Sequence, residues 1–159
     1  MEEINIENTV DLIHKKQAVF FSSQITLSSA FRVEKLKKLL KTIIQKEKEI
    51  HQALFKDLRK SSFESMTSET IFVEKEIRKM IRLLPSWIRP QRVQSSLLNF
   101  PSRDYIIPEP YGKTLLISPW NYPFQLAITP LVGAVAAGNT VVLKPSEFAP
   151  NTAKIISEI

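Results

Sequence analysis

The sequence predicts an α/β fold: a parallel sheet, represented by its first two strands, preceded by a layer of helices. Two observations carry that prediction. Thr114-Leu115-Leu116-Ile117-Ser118 and Thr140-Val141-Val142-Leu143-Lys144 are compact apolar runs, and the stretch from Phe124 to Ala137 between them is helix-like and closes on Gly138-Asn139, a helix stop. Strand, helix and strand at these lengths make a βαβ unit, with parallel strands, a right-handed crossover and a sheet that needs helices on both faces. The second observation is that apolar residues in the first 90 positions recur at intervals of three and four, the period of a helix.

A first helix is expected from about Ile6 to Phe21, with Val10, Ile13 and Phe20 on one side. The stripe Leu36, Leu39, Leu40, Ile43, Ile44 and its continuation Ile50, Ala53, Leu54, Leu58 predict helices that pack through one face. Ser61-Ser62-Phe63-Glu64 has the Ser-x-x-Glu spacing of a capping box and opens a further helix through Ile71, Ile77 and Ile81, ending at Pro85. After Trp87-Ile88-Arg89-Pro90 the period changes. Ser95 to Phe100 and Arg103 to Ile107 read as two extended segments of a hairpin around Asn99-Phe100-Pro101-Ser102, too short to stand alone and so expected at an edge or against a partner. Pro108 and Pro110 then stop regular pairing.

Pro130 leaves two alternatives open: it kinks the helix it interrupts, or Thr129 caps a shorter helix with Pro130 as its first residue. Asn151 to Ile159 opens as a capped helix with Ile155, Ile156 and Ile159 on its apolar side. Two parallel strands are fewer than the roughly five or six of most open sheets, so the fold is expected to be incomplete. The organisation read from this pass is a helical part over 1–90, a hairpin segment over 91–112 and the start of a βαβ domain over 113–159.

Composition narrows the function classes. With 43% apolar and 24% charged residues the chain is an ordinary globular one, and its longest apolar run, Leu126 to Gly138, is too short to span a bilayer. The opening Met-Glu-Glu-Ile-Asn lacks the features of a secretion signal, which predicts a cytoplasmic protein. The absence of cysteine excludes disulfides, thiolate metal sites and a cysteine nucleophile within these residues, and no metal site is predicted. His14 and His51 stand in polar helical sequence and are expected to be exposed. The net charge of +6 does not mark a nucleic-acid surface. Basic residues between Arg32 and Lys60 alternate with Glu34, Glu47, Glu49 and Asp57, and Glu34 with Lys38 has the i,i+4 spacing of a solvated helix face.

In open parallel sheets ligands bind beyond the carboxyl ends of the strands, which directs attention to two loops. In Pro119-Trp120-Asn121-Tyr122-Pro123 two prolines fix a rigid turn around a side-chain amide, and Lys144-Pro145-Ser146-Glu147 presents a cation and a carboxylate. Residue type alone leaves open that Asn121 caps the following helix and that Lys144 and Glu147 are surface charges. Gly112, Gly133 and Gly138 are the only glycines and none has the G-x-G-x-x-G spacing, so a dinucleotide would need a different phosphate site. Ala127 to Ala137 reads as core.

Ile117-Ser118-Pro119-Trp120-Asn121-Tyr122-Pro123-Phe124, followed at matching spacing by Gly138-Asn139-Thr140-Val141-Val142-Leu143-Lys144-Pro145-Ser146-Glu147, resembles the aldehyde dehydrogenases, most closely the class 3 type. A weaker likeness at Tyr105 to Gly112 and at Lys56-Asp57-Leu58 extends it over nearly the whole chain. The resemblance implies a Rossmann-like domain that binds NAD or NADP, in an enzyme that oxidises an aldehyde to a carboxylic acid by thiol attack, hydride transfer and thioester hydrolysis. It implies a catalytic role for Asn121, as the amide that hydrogen-bonds the oxyanion, a type of contact that lowers a barrier by about 3 kcal/mol. Lys144 and Glu147, with Ser146 between them, are implied contacts at the cofactor's adenosine ribose, and a carboxylate there favours NAD over NADP. Backbone atoms of Ile117, Ser118, Pro119 and Trp120 are implied to line the nicotinamide end. Segment 91–112 is implied to help subunits associate, as a homodimer.

The departure from the family pattern matters as much. The nucleophilic Cys, the general-base Glu and the Gly-containing helix start that receives the pyrophosphate lie downstream in that family and are not among these residues. Without a thiolate no covalent intermediate forms, so this chain alone is expected to be inactive toward aldehydes. A noncatalytic interaction module is the alternative reading, and open strand edges and uncovered apolar faces predict that the isolated chain is unstable.

Overall fold

The computed structural model describes residues 6–159. The Met-Glu-Glu-Ile-Asn segment, on which the localisation reading rests, lies outside the described residues. The first helix, α1 (Ile6–Ser22), leads through a turn into α2 (Ser29–Gln45), whose cap Ser28 accepts from the Phe31 amide at 3.3 Å. The chain then bends at Lys46 into α3 (Glu47–Leu58). The apolar stripe read from the sequence becomes the core: Leu36, Leu40 and Ile43 of α2 pack with Ile50, Ala53 and Leu54 of α3. Each large side chain removed from water contributes roughly 1.5–3 kcal/mol before entropy is counted. Ile44 is the exception in that stripe and faces out. Glu34 lies 3.7 Å from Lys35, rather than pairing with Lys38.

Ser61 caps the next helix as its spacing predicts, its hydroxyl accepting the Glu64 amide at 3.2 Å. That helix starts as α4 (Ser62–Ser65), widens into a π segment (Met66–Thr70) and continues as α5 (Ile71–Trp87). The Ile71 amide reaches back to Met66, the i−5 bond that defines the widening. The predicted stop at Pro85 is corrected: the helix runs two residues further. Pro85 sits in the last turn, where its missing N–H costs a single bond, and the Ile88 amide still reaches the Leu84 carbonyl at 3.2 Å. Of the histidines, His14 is exposed, but His51 is half-buried, its Nε2 lying 3.3 Å from Thr70 Oγ1 in the π segment.

The hairpin exists with a different first strand. Here β1 (Gln91–Val93) pairs antiparallel with β2 (Asp104–Ile106), in the register Gln91 to Ile106 and Val93 to Asp104. The expected strand over Ser95 to Phe100 is instead a loop containing a 3-10 turn, Leu97–Asn99. Serine hydroxyls compete with strand pairing there: Ser96 Oγ accepts the Leu98 amide at 3.3 Å, and Ser95 Oγ accepts the Asp104 amide at 3.2 Å.

The βαβ unit follows as predicted: β3 (Lys113–Ile117), α6 (Gln125–Ala137) and β4 (Thr140–Lys144), with the strands parallel from Lys113–Thr140 to Ile117–Lys144. Pro130 lies inside α6, so Thr129 does not cap a shorter helix. Phe124, Ile128 and Val132 join the α2–α3–α5 core from one side of the sheet. On the other side α1 approaches, where Val10 and Ile13 line a groove with Leu115 and Val142. That cover is partial, since Leu115 and Ile117 remain 62% and 69% exposed. The last helix, α7 (Pro150–Glu158), packs on α3 and sends Ile155 into the core.

Candidate functional site

Parallel pairing puts Ile117 beside Lys144, so the loops that follow β3 and β4 leave the same edge of the sheet, and the Ser118 amide extends the ladder to the Lys144 carbonyl at 3.1 Å. The first loop is held from below by residues that the sequence reading did not single out. Glu69, fully buried in the π segment, accepts the Phe124 and Gln125 amides through one carboxylate oxygen at 2.9 and 3.1 Å. It therefore supplies the N-terminal cap that α6 lacks locally, a negative charge placed where the helix dipole is positive. The other oxygen of Glu69 pairs with buried Lys60 at 2.6 Å. Lys60 also donates to the Asn121 carbonyl at 2.9 Å and sits 4.0 Å above the Tyr122 ring.

The capping role left open for Asn121 is thus filled by Glu69. Asn121 itself is exposed, and its side-chain amide makes no hydrogen bond among the described residues, although its backbone is gripped by Lys60. The result is a donor pair held in place and directed away from local partners. Around it, Ile117, Pro119 and Trp120 are exposed along the same edge, while Ser118 is buried and its hydroxyl has no hydrogen-bond partner among the described residues.

In the second loop Lys144 and Glu147 form an ion pair with each other, both side chains largely in solvent. The hydrogen bond from Lys144, helped by the Glu147 backbone amide, holds the Glu147 carboxyl below its ordinary value. Ser146 is buried between them, and its hydroxyl accepts the Phe148 amide at 3.3 Å, so its side chain shapes the turn. The loop is anchored by a second carboxylate from the helical layer. Asp57, at the end of α3, accepts the Asn151 amide and side-chain nitrogen at 3.1 and 2.7 Å through one oxygen, and the Thr152 amide and hydroxyl, both at 2.7 Å, through the other. Burial raises the Asp57 carboxyl, but the hydrogen bonds from Asn151 and Thr152 outweigh it and hold the group below its ordinary value.

The far end of α6 is fixed by a cation. Buried Arg32 donates to the carbonyls of Thr26, Leu27 and Ala136, the last at 3.1 Å. Burial lowers its pKa, and the carbonyl bonds take the place of the water it has lost. Asn139 and Thr140 tie the start of β4 to Gly112: the Gly112 amide reaches Asn139 Oδ1 at 2.8 Å, and Thr140 Oγ1 reaches the Gly112 carbonyl at 3.2 Å.

Asn121, Lys144 and Glu147 therefore share one edge, as the βαβ reading requires. Asp57, Lys60, Glu69 and Arg32 were not legible as site-forming residues. Asp57 stood in the weakly matching Lys56-Asp57-Leu58, and Glu69 in a Ser/Thr-rich stretch whose π geometry has no sequence signal. Among the described residues no group of three His, Cys, Asp or Glu side chains could hold a metal ion, and no helix is long and apolar enough to cross a membrane.

An α/β unit with polar loops at the carboxyl edge of its parallel strands has the arrangement of ligand-binding open-sheet folds. Residues 7–159 match the aldehyde dehydrogenase family model, and the chain belongs to that family. It is 45% identical over 139 residues to aldehyde dehydrogenase family 3 member B3 of Mus musculus, covering 87% of this chain and 29% of that protein. The substrate-bound Staphylococcus aureus AldH superposes with a TM-score of 0.91 at 42% identity, over 94% of this chain and 32% of that one. PnpE from Pseudomonas sp. WBC-3, solved in complex with nicotinamide adenine dinucleotide, gives a TM-score of 0.80 at 26% identity, over 94% of this chain and 30% of PnpE. The chain thus spans about 30% of the length of these relatives.

Proposed function

We propose that this chain supplies the oxyanion donor and the adenosine-side cofactor contacts of an NAD(P)-dependent aldehyde oxidation. The observation that carries the reading is the division of labour at α6: Glu69 caps the helix, which frees the exposed amide of Asn121 while Lys60 holds its backbone. A fixed donor aimed at developing negative charge needs no reorganisation during the reaction, and such a contact stabilises the transition state by about 3 kcal/mol. The aldehyde is therefore placed with its oxygen against Asn121.

The donor set of the second loop fits a ribose: Glu147 accepts from hydroxyls and Lys144 donates to them, and their exposed pair can open toward a ligand at little cost. Ile117, Ser118, Pro119 and Trp120 form the wall between the two loops on which the nicotinamide end would lie. When bound, that nucleotide accepts the hydride. A carboxylate at Glu147 favours NAD, and NADP remains compatible if Lys144 pairs with the extra phosphate. With no cysteine in the sequence, the 159 residues alone complete no thiol-based turnover. Cytoplasmic residence and a homodimer, with the 91–112 segment at the subunit contact, complete the reading; Leu97, Leu98 and Phe100 on that segment are 92%, 95% and 84% exposed, which also supports a role in interaction without catalysis.

The test is a chimera in which these residues replace the matching third of the Staphylococcus aureus relative. Asn121→Ala is expected to lower kcat by roughly 10²–10³-fold with a smaller change in KM. An unchanged kcat would remove Asn121 from the chemistry. Aldehyde-dependent reduction of NAD by the unextended chain would overturn the assignment of an incomplete site.

A further inference from the structure

We propose that Lys60 and Glu69 form a positioning clamp that sets where the Asn121 amide points, an inference that rests on the oxyanion reading above. Both side chains are buried, beneath the exposed edge where a substrate would lie. Their contacts converge on one segment. Glu69 takes the Phe124 and Gln125 amides, three and four residues after Asn121, and Lys60 takes the Asn121 carbonyl and the face of Tyr122.

The arrangement is more specific than a structural ion pair requires. A buried pair alone is a poor stabiliser, since desolvation offsets its attraction, so its retention needs another reason. Here the other hydrogen bonds of the pair all go to the loop and the helix start that follows it. Lys60 fixes the peptide plane that follows the Asn121 α-carbon, and Glu69 fixes the helix start beyond Pro123. Pro119 and Pro123 restrict the backbone between. The side-chain amide projects from this pinned turn. The π segment serves the same end: its extra residue per turn carries Glu69 and Thr70 into the interior.

The clamp separates into two halves that can be tested in the full 159-residue chain by nuclear magnetic resonance and amide exchange. Glu69→Gln is expected to speed exchange at Phe124 and Gln125 by on the order of 10- to 100-fold, the range for losing charge-assisted bonds. Lys60→Met should leave those two amides protected, because Glu69 still accepts them, yet shift the side-chain amide resonances of Asn121. Amides of Leu36, Ile43 and Leu54 in the helical core report on the fold. Unmoved Asn121 resonances in both variants would overturn the clamp. So would exchange that accelerates uniformly across α2, α3 and α6, since the pair would then serve the core and not the loop. Failure of the oxyanion reading is seen elsewhere, as unchanged kcat in the Asn121→Ala chimera, and does not depend on these spectra.

Discussion

Gly138 shows how much one position can carry. Its φ of +93° is left-handed, where a Cβ is strained, and an added Cβ would also lie 2.6 Å from an Arg32 guanidinium nitrogen. The guanidinium cannot simply withdraw, because it holds the carbonyls of Thr26, Leu27 and Ala136. Gly138→Ala is therefore expected to cost about 1–2 kcal/mol for the backbone and a similar amount for loosened charge-assisted bonds, roughly 3 kcal/mol together. A chemical denaturation midpoint within error of the parent protein would show that Arg32 finds an equivalent seat. The sequence marked Gly138 as a helix stop but could not show the arginine, which reaches it across more than a hundred residues. The positions of Asn121, Lys144 and Glu147 were legible for a related reason: they lie at or within a few residues of the ends of apolar strands, so their place is set by local pattern. Glu69 and Lys60 act on a loop more than fifty residues away, and nothing local in Ser68-Glu69-Thr70 announces that target.

At the level of elements, the helices were readable because their apolar spacing and caps are local, and the misreadings fall where side chains compete with the backbone. Ser95 and Ser96 drew the expected strand into a turn, and Pro85 was tolerated at a helix end. The start of α7 was read as capped, and its cap proves to be Asp57 from α3 rather than a neighbour in sequence. Asp57→Ala is expected to cost about 1 kcal/mol, the usual loss for a helix cap, and to loosen the Lys144–Glu147 loop ahead of it. The pH dependence has a definite sign. Asp57 in the folded chain ionises below the ordinary carboxylate range, so its contribution is complete above about pH 4 and is lost as pH falls through the lower folded value. Asp57→Asn should flatten the decline of stability over that acid window while leaving the shape of the curve near neutrality unchanged. Urea midpoints measured from pH 7 down to pH 3 decide it; parallel curves for the two proteins would mean that the carboxylate does not bind its proton differently on folding.

For the whole molecule, two opposing features determine behaviour. The helices bring Leu36, Ile43, Ile50, Leu54, Val73, Ile77, Phe124, Ile128 and Val132 into one closed core, which favours a cooperative fold despite the expectation of instability. Against this, the outer face of β3, the 91–112 ribbon and Tyr111, which is 99% exposed, present apolar surface of a kind that monomers cover. Relatives are about three times as long, so the matched region in them has further chain available to lie against these faces. The expected behaviour of the 159 residues is a folded helical core that associates through the uncovered surface. Apparent mass in light scattering should rise with concentration and with sulfate, which strengthens apolar burial, and replacing Leu97 and Leu98 by Asp should lower it without moving the thermal midpoint by more than a few degrees, since neither side chain belongs to the core. If the double variant instead loses its thermal transition, the ribbon contributes to the fold itself; if it associates as strongly as before, the contact lies on the sheet face around Leu115 and Ile117.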